Sequence, residues 1–481
     1  MDQSTVLFII TGYFLVLLVI SYYTSRGANN KSFFLGNRQS PWYVVSFGMI
    51  SASLSGVTFI SVPGWVMDSQ FSYMQVILGY LLGYAIIANI LMPMYYRLNL
   101  TSIYTYLRTR FGNHAYKTGS SFFLLSRTIG AAFRLFLVAN VLQISLFNQW
   151  NIPFEATVVI TILLIWLYTN KGGIKTIIWT DSLQTLFMLI AVGITIVLIS
   201  KEMNLDFQGL INTVVDSKHS KMFFFGDYKG EQYFIKQFLA GAFIAIVMTG
   251  LDQDMMQKNL SCRNIKEAKK NMYWLSISLI PVNLLFMSLG IMLIVFAQTK
   301  GIPLPEQSDD LFPLIATQGY LSPVVGFFFL IGLIAAAYSS ADSALTSLTT
   351  SFTVDILDAQ NLAEKPLKRL RKKVHVGVSI ALVLIIIVFN AVNDQSVISA
   401  VFTIAGYTYG PLLGMYSFGL FTKWKVNDKW IPFVAILSPV LSYFISFFSE
   451  ALFNGYKIGF ELLIINGLIT FIGLWLLRRK K

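Results

Sequence analysis

The sequence predicts an all-α membrane protein: one transmembrane domain over residues 1–481, built from about thirteen spanning helices. Three observations carry that expectation. Hydrophobic residues make up 55% of the chain and charged ones 12%, with a mean hydropathy of +0.65, well beyond soluble globular averages. The apolar residues gather into runs of roughly 17–25, the length a helix needs to cross a ~30 Å hydrocarbon core, and the ~10-residue alternating segments of a β-barrel do not occur. The basic residues between the runs fall on alternate sides.

In order, the predicted spans are 4–22, 42–65, 73–97, 116–147, 153–169, 174–200, 233–257, 272–299, 322–350, 374–393, 396–421, 430–449 and 458–477. The first, TVLFIITGYFLVLLVISYY, lacks the basic flank and small-residue cleavage site of a signal peptide and is expected to be retained. The second is interrupted by Ser51, Ser53, Ser55, Gly56 and Thr58, weak helix formers that permit unwinding. Unwound backbone at membrane depth is tolerated only where it lines a cavity or is covered by protein. The eleventh contains Gly406, Gly410, Pro411 and Gly414, so a kinked or mobile helix is expected. Loops after odd-numbered spans, with the tail Arg478–Lys481, hold most of the 36 Lys and Arg. By the positive-inside rule the N-terminus then lies outside and the C-terminus in the cytoplasm, in a plasma membrane of the bacterial inner-membrane kind. Topology thus accounts for the net charge of +13, and no nucleic-acid motif needs it.

Other function classes find little support. The single cysteine, Cys262, lies on a predicted loop, so neither a disulfide framework nor a thiolate metal site is expected. His114, His219 and His375 lack metal-ligand spacing. There is no P-loop, nucleophile elbow or paired His or Cys motif, which argues against an enzyme and against an ATP-driven pump.

What remains is polar material inside the membrane. Arg127, Arg134 and Lys236 are the basic residues placed within spans; Asp181 and Asp342 are the clear intramembrane acids, with Asp252 and Asp254 near the end of the seventh span. A charge at the bilayer centre costs at least about 2.5–3.5 kcal/mol, so such residues pair with one another or line a pathway. In AAAYSSADSALTS, residues 335–347, Ala336, Ser339, Ser340, Ser343 and Ser347 share one helical stripe, flanked by Asp342 and Thr346. One reading is a small-residue helix interface whose hydroxyls bond their own i−4 carbonyls. The other is a set of oxygen ligands, with a compensating charge, for a small hard cation; the carboxylate favours this second reading. Asp181, in IIWTDSLQTLFMLI, has Thr180, Ser182, Gln184 and Thr185 beside it, with a salt bridge to Arg127 or Arg134 as the alternative.

The interrupted second span, WTD at 179–181, GLDQDMMQ at 250–257 and AAAYSSADS in the ninth span together resemble the sodium:solute symporter family, over nearly the whole chain. The resemblance implies a LeuT-type core of two five-helix inverted repeats, about 42–200 and 233–421, with peripheral helices about 4–22, 430–449 and 458–477. It implies a common sodium site made by the carbonyls of Ser51, Leu54 and Ala336 and the hydroxyls of Ser339 and Ser340, the two hydroxyls that the stripe also selects. A second sodium site of some relatives maps to Asp181, Ser339, Asp342 and Ser343. Relatives with that site carry a hydroxyl where this chain has Asp342, so the site is strengthened, proton-sensitive, or replaced by a hydrogen-bonded carboxyl pair.

Solute contacts map to Ser53, Ser55, Thr58 and Arg127, the last matching an arginine that pairs with the carboxylate of sialic acid. Arg134 lies seven residues on, on nearly the same face; an arginine that neutralises Asp181 or lines the inner vestibule is the alternative. The expected function is therefore sodium-coupled symport by alternating access, with Na+ as the co-transported ion and a sugar acid such as sialic acid, or another small carboxylate, as the solute. A neutral sugar, an inositol, proline or a monocarboxylate is the alternative solute, and a sodium-conducting channel the more distant reading. The expected partners are Na+, the solute and the lipid bilayer, with no nucleic acid, and the protein is expected to work as a monomer.

Overall fold

The computed structural model describes residues 3–24, 26, 30–392 and 397–479, and among them the backbone is helical, with no strand longer than an isolated bridge. A helix occupies each predicted span. In chain order these are α1 (Gln3–Thr24), α2 (Trp42–Ser69), α3 (Tyr73–Arg97), α4 (Asn113–Leu142), α5 (Phe154–Leu167), α6 (Gly173–Glu202) and α7 (Phe234–Gly250 with Gln253–Leu260). Then follow α8 (Ile265–Lys300), α9 (Pro323–Ile356), α10 (Glu364–Val392), α11 (Val397–Phe421), α12 (Ile431–Phe447) and α13 (Leu462–Leu476). Among the described residues seven helices are long and apolar enough to cross a membrane, nine if each bent pair counts as one span; α1, α5 and α13 hold shorter apolar helices.

The two bent helices are the fold's main irregularities. α2 turns by 55° between Leu54 and Gly56, yet its residues stay helical, so the expected unwinding is instead a bend. In the turn before the bend a side chain is set into the helical ladder: Thr185 Oγ1 of α6 donates to Phe47 O (2.9 Å) and accepts from Ser51 N (3.1 Å), standing between the donor and acceptor of one helical turn. α7 turns by 65° at 251–252, a break not expected from the sequence. There Asp252 caps the second half-helix, its Oδ1 accepting from the amides of Asp254 (2.9 Å) and Met255 (3.3 Å). α5 and α6 form one continuous run divided at Gly173, whose φ of 65° and closeness to the Phe33 backbone leave no room for a side chain.

The packing carries an internal correspondence. α2 packs on α8 as α7 packs on α3, and α6 on α9 as α11 on α4; exchanging α2 with α7, α3 with α8, α4 with α9 and α6 with α11 maps one set of contacts onto the other. Each half opens with a bent helix. In α11, Gly410 and Gly414 are contact positions. They give their space to α13, lying against Asn466, Gly467 and Thr470.

The α3–α7 contact shows how closely such backbones approach. A Cβ on Gly79 would overlap the carbonyl oxygen of Phe238, and one on Gly241 would overlap that of Val76. Because the obstacle is backbone, relief requires helix separation. Gly79→Val and Gly241→Val are each expected to lower stability by about 1–3 kcal/mol or more, read as an earlier thermal unfolding transition in detergent, whereas Gly301→Val, with no atom near its Cβ but a φ of 66°, tests strain alone.

Candidate functional site

The bend of α2 faces α6 and α9, and the polar residues singled out from sequence meet there. Ser51 Oγ lies 2.9 Å from Ser339 Oγ across the α2–α9 contact, and it also reaches Gly48 O (2.9 Å) and Asp181 O (3.1 Å). Ser339 Oγ donates to Asp181 Oδ1 at 2.7 Å. Leu54, Ala336, Ser340, Asp342 and Ser343 are buried in the same region of α2 and α9. The hydroxyls of Ser340, Ser343 and Thr346 are buried with no hydrogen-bond partner among the described residues. The i−4 back-bonding of a purely structural stripe is therefore not what these hydroxyls do. Buried hydroxyls left unsatisfied in this way are suited to a hard cation, which takes oxygen lone pairs. The described residues hold no His, Cys or carboxylate cluster of transition-metal type.

Asp181 has a partner that sequence reading placed elsewhere. Lys258, one residue beyond the predicted seventh span and so in a loop by that reading, belongs to the second half of α7 and is 1% exposed; its Nζ donates to Asp181 Oδ2 at 2.7 Å, and Asp181 itself is fully buried. The bend of α7 is the physical reason, because it turns the last two helical turns inward beneath α6. The alternative pairing of Asp181 with Arg127 or Arg134 is thus replaced by a lysine. With Ser339 on one oxygen and Lys258 on the other, Asp181 already has an internal cation beside the residues of the second predicted sodium site. Asp342 Oδ1 accepts from Ser343 N at 2.6 Å.

Beside this cluster lies a polar cavity of about 70 Å3, lined by Ser53 and Thr58 of α2, Tyr73, Tyr80 and Tyr84 of α3, Arg127 and Arg134 of α4, and Thr249 and Met255 of α7. The Ser53 hydroxyl is buried without a partner, and the side chain of Ser55 lies outside the described residues. Arg127 makes an ion pair with Asp254 through Nη2, so its charge is already matched. Arg134 is 8% exposed, its Nε is unpartnered, and no ion pair involves it among the described residues. Lys236, expected within a span, lies in the first turn of α7 and donates to the carbonyls of Gly230 (3.0 Å) and Lys457 (2.6 Å).

Sequence reasoning missed Lys258 and the role of Asp254. One local signal was present: Gly250 and Asp252 are a helix stop followed by an N-cap, which marks a broken helix.

Comparison with known proteins agrees with this architecture. The profile of the sodium:solute symporter family matches residues 33–429. A sodium/sialic acid symporter of Aliivibrio fischeri is 24% identical over 441 residues, 89% of this chain and 85% of that protein. The sodium/iodide cotransporter of Homo sapiens is 26% identical over 417 residues, 82% of this chain and 62% of that protein. Among solved structures, a substrate-bound, outward-open Na+-coupled sialic acid symporter superposes with a TM-score of 0.82 at 21% identity, over 98% of this chain and 97% of that one. The fold is of the LeuT type. With its profile matched over most of the sequence, the chain belongs to the sodium:solute symporter family and is a multi-pass membrane transporter coupled to Na+, not an enzyme.

Proposed function

We propose that the protein imports a sugar acid such as sialic acid, or another small carboxylate, together with one sodium ion per cycle. The observation that carries the solute class is Arg134: a buried guanidinium at the cavity wall that forms no ion pair among the described residues. A bound carboxylate supplies the missing charge in a bidentate geometry that lysine does not offer. Arg127, matched to the solute-binding arginine by resemblance, is engaged by Asp254, so Arg134 takes that role in this reading and Arg127 holds α4 to α7. Ser53 and Thr58 of the cavity wall then face the rest of the solute. The two relatives named above carry sialic acid and iodide, both anions, which supports the charge argument.

Sodium is assigned to Ser51, Leu54, Ala336, Ser339 and Ser340. The second site, at Asp181, Asp342 and Ser343, is assigned to the ammonium of Lys258 in place of a second ion. The basic loops support a bacterial inner-membrane protein with its N-terminus outside and its C-terminus in the cytoplasm, working as a monomer in the bilayer. The exchange symmetry of the contacts supports repeats of about 42–200 and 233–421.

Charge arithmetic makes this reading testable. One Na+ with one monoanion moves no net charge, so a tenfold sodium gradient supplies about 1.4 kcal/mol and the membrane potential supplies none. A second Na+ adds another ~1.4 kcal/mol and, at ~100 mV, a further ~2.3 kcal/mol. Uptake of radiolabelled sialic acid into proteoliposomes is therefore expected to require a sodium gradient and to ignore a clamped potential. Arg134→Gln is expected to abolish that uptake. Potential-dependent uptake in the wild type refutes the single-ion stoichiometry, and uptake surviving in Arg134→Gln refutes the arginine's role.

Two further substitutions separate the ion sites. Ser340→Ala is expected to raise the sodium concentration for half-maximal uptake about tenfold, the factor that ~1.4 kcal/mol gives. Lys258→Met leaves a buried carboxylate without its cation, a situation worth about 3–5 kcal/mol, so a second sodium is expected to enter. The sodium Hill coefficient then rises from near one towards two and uptake becomes potential-sensitive; a coefficient unchanged from the wild type counts against Lys258 as the stand-in.

A further inference from the structure

An elongated groove of about 690 Å3 lies away from the transport cavity, between α4, α9 and α10. Leu124, Leu125 and Ile129 form one wall, Leu348 and Phe352 the second, and Gly377, Ala381 and Ile385 the third, with Lys373 as its one charged lining residue. From Lys373 to Ile385 the α10 wall runs twelve residues, about 18 Å at 1.5 Å per residue, close to the ~15 Å depth of one leaflet's hydrocarbon. The groove exists because α10 is small where its neighbours are large: a Cβ at Gly377 would meet no atom within 4 Å.

What distinguishes it from an ordinary lipid-facing furrow is the charge at one end. The first turns of α10 read EKPLKRLRKK, and Lys365, Lys368, Arg369, Lys372 and Lys373 are all exposed. None of these five is in an ion pair among the described residues. Arg369 lies one helical turn before Lys373, on the same side as the mouth of the groove. The acid of the preceding loop, Asp358, is already held by Arg108 and Lys117 at 2.6 Å each. We propose that this groove is a binding site for one anionic phospholipid, its acyl chain lying along Gly377 and Ala381 and its phosphate on Lys373 and Arg369. Basic residues next to a spanning helix attract anionic lipids, and a groove of leaflet depth adds chain burial that a soluble phosphate cannot use. The occupant packs against Leu348 and Phe352 of α9, the helix that also carries Ser339 and Ser340, so the site adjoins the transport machinery without being part of it.

The test is native mass spectrometry of the delipidated full-length protein titrated with phosphatidylglycerol and, separately, phosphatidylcholine. Phosphatidylglycerol is expected to form a one-to-one adduct several-fold more tightly than phosphatidylcholine. Lys373→Gln, at an exposed position, is expected to remove about fivefold of that preference, from the ~1 kcal/mol that one cation contributes near a charged lipid surface. Gly377→Trp is expected to weaken both lipids together by filling the groove, with Gly377→Leu as the milder form should the tryptophan lower the lipid-free melting temperature. Inorganic phosphate at matched concentration is expected not to compete. Equal affinity for the two lipids in the wild type, a preference unchanged in Lys373→Gln, or displacement by inorganic phosphate each overturns the proposal.

Discussion

The buried ion pair between Asp181 and Lys258 is the interaction on which the arrangement of the polar centre depends. Two ions taken out of water cost several kcal/mol each, and their mutual attraction offsets this only when the geometry is good and the remaining oxygens are occupied. Here the second carboxylate oxygen takes the Ser339 hydroxyl, and Ser339 in turn meets Ser51. Three contacts therefore join the second half of α7 to α6, α6 to α9, and α9 to the bend of α2. A helix end that would otherwise sit in a loop is anchored beneath the site, and the hydroxyls nearest to it acquire fixed positions.

At the α7 break side chains meet several of the backbone polar groups that the helix leaves. In hydrocarbon an unsatisfied amide or carbonyl costs several kcal/mol, so a broken helix survives only where other groups replace the lost ladder. At the α7 break, Tyr95 donates to Gly250 O (2.8 Å) and Tyr104 to Leu251 O (2.9 Å). Asp252 caps the following amides with one oxygen and accepts from Tyr409 of α11 with the other, at 2.6 Å. Gln253 spans to the short segment after α3, accepting from Ile103 N (2.9 Å) and donating to Thr101 O (2.9 Å). Tyr95 and Tyr104 thus hold backbone and Tyr409 holds the cap, whereas Tyr73 and Tyr80 face the cavity.

How much of this is legible in the sequence follows from the range of each signal. Apolar runs are local, and a helix stands on every one of them. The hydroxyl stripe of α9 is a periodicity within one helix, so the amino-acid order alone singles out Ser339 and Ser340. Ion partners are set by tertiary packing: Lys258 lies 77 residues from Asp181, and Asp254 lies 127 from Arg127. Nothing in a hydropathy window distinguishes a lysine turned inward by a bent half-helix from one facing water. The glycines of α11 show a related limit: a packing role that one helix alone cannot reveal, since beside α13 they are the space that Asn466 and Thr470 fill.

The contact between α2 and α9 gives a physical basis for coupling. Alternating access needs an ion that binds one arrangement of the helices better than the other, since an ion of equal affinity shifts nothing. At this contact Ser51 and Ser339 satisfy each other across 2.9 Å, while the Ser340 hydroxyl on the same helix has no hydrogen-bond partner among the described residues. In the proposed assignment a sodium ion there makes bonds to oxygens of both helices, among them the otherwise unsatisfied Ser340 hydroxyl. Those bonds come from both helices at once, so any motion separating α2 from α9 strips ligands from one side of the ion. Under the proposed sodium assignment affinity falls steeply with that separation, which is the differential affinity that coupling requires.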